Sequence, residues 1–125
     1  MKKLLLLVVI AAFISCDDIF EKKIERYTVE IIAPYSGASL KSGNVVFSWN
    51  ALDGATKYRL TLATPSFDNA LQIVEDAEIS VIDSVPTSIY SHSLNLSEGV
   101  YQWCVQAQNF NYSSKKQIYD LTIAD

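Results

Sequence analysis

Histidine occurs once in this chain, at position 92, and cysteine only twice, at 16 and 104. A single imidazole allows at most one Ser-His-Asp arrangement. Cysteines this far apart exclude a zinc site of the Cys-x-x-Cys type. With four glycines, the chain has no glycine-rich loop of the kind that cradles phosphate. No stretch of ten residues shows apolar spacing of helical period, and there is no internal repeat or low-complexity tract. The apolar run at 4–14 is eleven residues long. A membrane-spanning helix needs about 20.

What that run does have is the length of a signal-peptide core. Met1, Lys2 and Lys3 precede it as a short positive region, and the small Ser15 follows, directly before Cys16. The exit "FISC" resembles a bacterial lipobox, with Phe13 at the position where leucine is commonest. The resemblance implies that residues 1–15 are a signal peptide cut before Cys16. It also implies that the Cys16 thiol receives a diacylglycerol by thioether linkage and that its amine is acylated. Stable anchoring needs more than one acyl chain, a condition such a lipid meets. The partner implied is the membrane, reached through the lipid anchor. Asp17 and Asp18 resemble the acidic export signal of Bacteroidota surface lipoproteins, which implies the outer face of the outer membrane. The plainer alternatives are an ordinary secreted protein and a merely solvated acidic linker.

Removing the signal leaves 110 residues, enough for one domain with a core. Lys2 and Lys3 leave with it, so the mature side chains carry 8 Lys+Arg against 14 Asp+Glu, a net −6. Nucleic acid needs a basic footprint, so no nucleic-acid partner is expected. The same acidity works against adsorption to anionic membranes and leaves the tethering to the lipid. With Cys16 committed, Cys104 has no partner in the chain, and a small buried hydrophobe is its expected role. The charged segment 16–26 has no periodic core face and is expected to be a tether.

From residue 27 onward the apolar residues recur with period two, the pattern of strands with one buried face. Tyr27, Val29 and Ile31 form the first set, and "PYSG" at 34–37 breaks it. Val45, Phe47 and Trp49 follow, then Tyr58, Leu60 and Leu62 beyond the turn "LDG". Shorter apolar pieces stand at 71–74 and 79–82. Tyr90, His92, Leu94 and Leu96 alternate again, as do Tyr101, Trp103, Val105 and Ala107, and finally Tyr119, Leu121 and Ile123. Seven or eight short strands at this spacing predict an all-β sandwich over 27–125.

Two stretches carry a family likeness. "VVFSWNALDGATKYRLTLA" resembles strands B and C of a fibronectin type III domain, and "LNLSEGVYQWCVQAQN" resembles its E–F corner and strand F. The resemblance implies a fibronectin type III/immunoglobulin-like β-sandwich, with Trp49 in its centre and Tyr101 as the tyrosine of the corner. The segment 71–88 is longer than the family pattern and leaves room for an irregular edge strand.

Candidates for chemistry are few, and a catalytic function, a metal site and a cofactor are not expected. His92 shares its parity with Tyr90 and Leu94, as a partly buried strand histidine would. Cys104 faces opposite to Trp103, so a Cys–His pair fails by parity. Glu75, Asp76 and Glu78 suggest a hydrolytic carboxylate pair or a calcium site, against the plainer reading of a solvated, irregular edge. "DSV" at 83–85 resembles the acceptor of Bacteroidota O-glycosylation, with Ser84 as the modified residue. "NFNYSS" at 109–114 falls in the F–G loop, where Asn109, Phe110, Asn111 and Tyr112 are candidates for stacking on and hydrogen bonding a glycan. The alternative is that Phe110 and Tyr112 fold back to cap the core. Phe67 is expected at the opposite end. The expected function is a non-catalytic, lipid-anchored interaction or spacer module on the outer membrane, with a glycan or a surface protein as partner. The alternative is a small carbohydrate-binding lipoprotein of a glycan-uptake system.

The anchor is testable alone. Cys16→Ala is expected to release the protein from membranes or to stall its processing. Retention of the variant in the carbonate-washed outer-membrane fraction would rule out the lipobox.

Overall fold

A computed structural model describes residues 22–82 and 87–125. Cys16, Asp17, Asp18 and Ser84 lie outside the described residues. Eight strands fill the described chain: β1 (Ile31–Ala33), β2 (Ala38–Lys41), β3 (Gly43–Asn50), β4 (Lys57–Thr64), β5 (Gln72–Ser80), β6 (Ile89–Leu96), β7 (Gly99–Gln108) and β8 (Tyr119–Ala124). They form a three-stranded sheet, β1-β3-β6, and a five-stranded sheet, β2-β8-β7-β4-β5. This is the sandwich that the alternation predicts, with the first strand divided between the sheets. β1 pairs antiparallel with β3, and β2 pairs parallel with β8. Pro34 lies at the break, and Gly37 takes the positive φ of +85° that its turn requires.

The inward parity of every long strand faces one core. Phe47 and Trp49 on β3 meet Tyr58, Leu60 and Leu62 on β4, Trp103 and Val105 on β7, and Leu121 and Ile123 on β8, all buried. Contacts between rings cross from sheet to sheet. Phe47 packs edge-on against Trp103 at 4.8 Å between centroids, Trp49 tilts against Tyr58 at 5.7 Å, and Tyr58 against Tyr90 at 4.8 Å. At the β6–β7 corner the Tyr101 hydroxyl donates to the Ser97 carbonyl at 2.7 Å. This is the tyrosine corner that the family resemblance implies.

Three expectations need correction. The segment read as a tether contributes to the fold at its end, because Ile24 is completely buried in the core cluster. Tyr27, expected on the inward face with Val29, is instead half exposed while Val29 is buried. Thr28 bridges in parallel to Lys115, before the chain joins β3 through β1, so the alternation from 27 does not belong to one regular strand. Within 71–82 runs one nine-residue strand, β5 (Gln72–Ser80), in place of the two short pieces expected at 71–74 and 79–82. Its alternation is hidden by a register shift against β4, where Leu62 pairs with Glu75 and Ala63 with Ile73.

The indole nitrogens of Trp49 and Trp103 are buried and have no acceptor among the described residues. Their value to the core is therefore volume and ring contact. Trp103→Ala is expected to cost about 3–5 kcal/mol of stability. Trp103→Phe is expected to cost far less, since it keeps a ring and forfeits no hydrogen bond. Equal losses for the two variants in denaturant unfolding would contradict this account.

Candidate functional site

Two regions are candidates for a functional site: the loop after β7 and the outer face of the five-stranded sheet. The loop runs through the residues that the sequence singles out, and its geometry separates them. Asn109 is only 9% exposed. Its side-chain amide donates to the carbonyls of Lys22 at 2.7 Å and Gly54 at 3.1 Å, and its Oδ1 accepts from the Tyr112 N–H at 2.9 Å. The Asn109 N–H donates to the Tyr112 carbonyl at 2.9 Å, which closes the turn. Asn109 thus ties the loop to the N-terminal segment and to the β3–β4 turn, and its side-chain amide donors are spent within the fold. Tyr112 packs against the core. Asn111 is exposed and is also engaged by a neighbour. Phe110 alone stands free, 93% exposed at the tip. Of the two rings, one caps the core and the other does not, so no paired aromatic platform forms.

The N-terminal segment lies close against the β3–β4 turn. Lys22 Nζ is 2.7 Å from Asp53 Oδ2. Gly54 has a φ of +93°, and a Cβ there would fall 2.7 Å from the Lys22 Cβ. Glycine is required on both counts. The Lys22 ammonium holds the Asp53 carboxyl below its ordinary range by hydrogen bond and charge, and its own pKa is raised in return.

The other region was missed from the sequence. On the outer face of β4, β5 and β7, a cleft of about 440 Å³ is lined by Arg59, Phe67, Asp76, Gln106, Lys116 and Ile118, with Cys104 also in its wall. Outward parity supplies Arg59 from β4, Asp76 from β5 and Gln106 from β7, and the run before β8 supplies Lys116 and Ile118. Phe67 arrives from the β4–β5 loop, whose position is fixed by the Phe67 N–H donating to Gln102 Oε1 at 3.1 Å. It does not join Asn109–Tyr112, as expected, but it has this second place. The only sequence signal was the polar parity of three strands, which looks like any solvated sheet face.

Charge around the cleft is arranged. Arg59 Nε and Nη2 donate to the two carboxylate oxygens of Asp76 at 2.7 and 2.6 Å, a bidentate fork. The guanidinium keeps the Asp76 carboxyl below the usual carboxylate range. Lys57 pairs with Glu78 at 3.1 Å. Glu75 faces the other way, across the gap between the sheets, with Oε2 3.1 Å from His92 Nε2. The three carboxylates therefore have three different partners on one nine-residue strand with a single register shift, where the sequence suggests an irregular acidic edge. Burial pushes the Cys104 thiol up, with Lys116 opposing in part. A thiol held neutral is a poor nucleophile.

No family model matches this sequence, and no curated protein matches it either. Solved structures do match in shape. A fibronectin type III domain of human collagen alpha-1(XX) superposes with a TM-score of 0.53 at 11% identity, covering 89% of this chain and 94% of that one. A superoxide reductase (neelaredoxin) from Ignicoccus hospitalis superposes at 0.54 with 12% identity, covering 80% and 82%. At such identities the likeness concerns the fold alone, and the fold is fibronectin type III-like.

Asn109 and its neighbour predict opposite outcomes. Asn109→Ala strands buried acceptors and is expected to lower stability by about 1–3 kcal/mol. Phe110→Ala is expected to stay within about 0.5 kcal/mol of the parent. A sharp loss of melting temperature in Phe110→Ala would show that the ring packs in solution.

Proposed function

We propose that the protein is a non-catalytic, lipid-anchored interaction module on the outer face of the outer membrane. The contact surface is the cleft on the five-stranded sheet. The observation that carries this reading is the mixed lining of that cleft. Apolar Phe67 and Ile118 stand beside Gln106, Lys116 and the Arg59–Asp76 fork in one concave site. Binding sites combine apolar walls with a few fixed polar groups in this way. The fork is set by geometry before any partner arrives, so little side-chain freedom is lost on contact. The lipobox-like exit at Cys16 and the acidic pair Asp17–Asp18 support the anchor and its surface display. In this reading the lipid supplies attachment and the sheet supplies recognition.

The second reading, a carbohydrate-binding lipoprotein, moves with the geometry. Its support now lies in the cleft, where the Phe67 ring and the amide of Gln106 share one lining, and no longer in the loop at 109–112. Two experiments separate the readings: a glycan array, and photo-crosslinking from position 106 on whole cells. Each is run with the mature protein and with Phe67→Ala. A hot-spot aromatic is worth at least about 2 kcal/mol, or roughly thirtyfold in affinity. Glycan binding that falls by this factor in Phe67→Ala selects the carbohydrate reading. A crosslinked surface protein lost in the same variant selects the interaction module. Binding of either kind that is indifferent to Phe67→Ala and to Ile118→Asp would remove the cleft from the function.

A further inference from the structure

The exposed Phe110 stands at the end of the sandwich where the chain enters. Asn109 holds the Lys22 carbonyl at 2.7 Å, so the tip of the loop and the start of the described fold are tied together. Lys22 follows Cys16 by only six positions, a reach of about 20 Å when fully extended. A lipid on Cys16 therefore keeps this end of the domain near the bilayer. We propose that the entry end is a membrane-docking face, with Phe110 inserted at the boundary between the anionic headgroups and the acyl chains of the lipid layer that holds the anchor. The proposal rests on the lipid anchor of the preceding reading.

Three observations converge on that face. The first is the ring itself. The turn from Asn109 to Tyr112 is closed by two hydrogen bonds of 2.9 Å, and it presents Phe110 outward. A large apolar side chain fixed in water gains by entering an interface, where aromatic residues concentrate. The second is its surroundings. Tyr27 is half exposed, with the Lys22 ammonium 5.9 Å from its ring centre. The Lys115 N–H donates to the Tyr27 carbonyl, which places a second lysine on the same end, and Lys23 is exposed beside Lys22. Lysines with long apolar stems suit the headgroup layer, and each basic residue near an anionic surface is attracted to it. The third is the distribution of acid. Glu98 and Asp125 stand together at the opposite end, one β7 length away, and Asp53 is paired with Lys22. The exposed Glu25 and Glu30 of the entry end are met there by Lys23, Arg26 and Lys115, so this face is not dominated by acid as the chain as a whole is. The cleft lies on the flank of the sandwich, so docking leaves it open.

The test uses the full lipidated protein, purified in detergent, with the lipid on Cys16 verified by mass. It is reconstituted into vesicles of phosphatidylethanolamine and phosphatidylglycerol carrying brominated acyl chains. Phe110→Trp adds a fluorophore at the loop tip, and Glu98→Trp adds one at the far end. Emission from Trp49 and Trp103 is subtracted using the parent protein. The signal from the indole introduced at position 110 is expected to shift to the blue and to be quenched by bromine, with loss of both effects when the vesicles are dissolved. The signal from position 98 is expected to remain that of a ring in water. An unquenched signal at 110 would mean that the domain stands clear on its tether, and would overturn the proposal. Equal quenching at 110 and 98 would overturn it too, since the face would not be selective. An unmodified Cys16 would remove the anchor reading and this proposal together, an outcome seen by mass before any fluorescence is recorded.

Discussion

The contact on which the rest depends is the one between rings of the two sheets. Phe47 against Trp103 and Trp49 against Tyr58 are the places where a three-stranded sheet with little area of its own is held to a five-stranded one. All four side chains are completely buried. Strand pairing holds each sheet together internally, but it contributes nothing between them. That adhesion comes from apolar burial and ring geometry, which add about 0.5–1.5 kcal/mol per aromatic pair beyond the area removed from water. The tyrosine corner and the cross-gap contact of His92 with Glu75 trim the same interface at its rim.

This adhesion is also why the fold was legible. Each inward residue sits at an odd or even position that period two preserves, so Val45, Phe47 and Trp49, or Tyr101, Trp103 and Val105, announce their face without any knowledge of the partner strand. Legibility failed where period two failed. At β5 an acid, Glu75, occupies the inward parity of Ala77 and Ile79, and the register shift beyond it places Ile73 on the outer face, so the apolar alternation on which the reading rests is broken twice. At 27–31 the chain bridges first to Lys115 and then to β3, so its alternation does not describe one surface. Ile24 was hidden by its charged neighbours, since one apolar residue among Lys22, Lys23, Glu25 and Arg26 has no period at all.

The candidate sites were less legible, for a different reason. Asn109 was noticed for the hydrogen-bonding capacity of its amide, and that capacity is real. Its partners, however, are backbone carbonyls at Lys22 and Gly54, and backbone acceptors leave no trace in side-chain pattern. The cleft is built from Arg59, Asp76 and Gln106 on three strands, together with Phe67 from a loop. Each of these looks ordinary within its own strand. Only the pairing order β7-β4-β5 makes them neighbours, and pairing order is a long-range property.

The same order separates two features of the domain surface, the knot at the entry end and the cleft on the flank. Asn109, Gly54 and Lys22 gather three segments at the entry end, and the cost of losing any one of them falls on all three. Such a knot makes the first described residues part of the rigid body. Ile24 adds a buried side chain to the core from the same segment, so the chain before β1 is held by packing as well as by hydrogen bonds. The side-chain amide of Asn109 is spent on backbone carbonyls there, whereas the outward side chains of β4, β5 and β7 keep their polar groups at the surface of the cleft. One end of the domain therefore uses its polar groups to close the fold, and the flank presents its own to solvent.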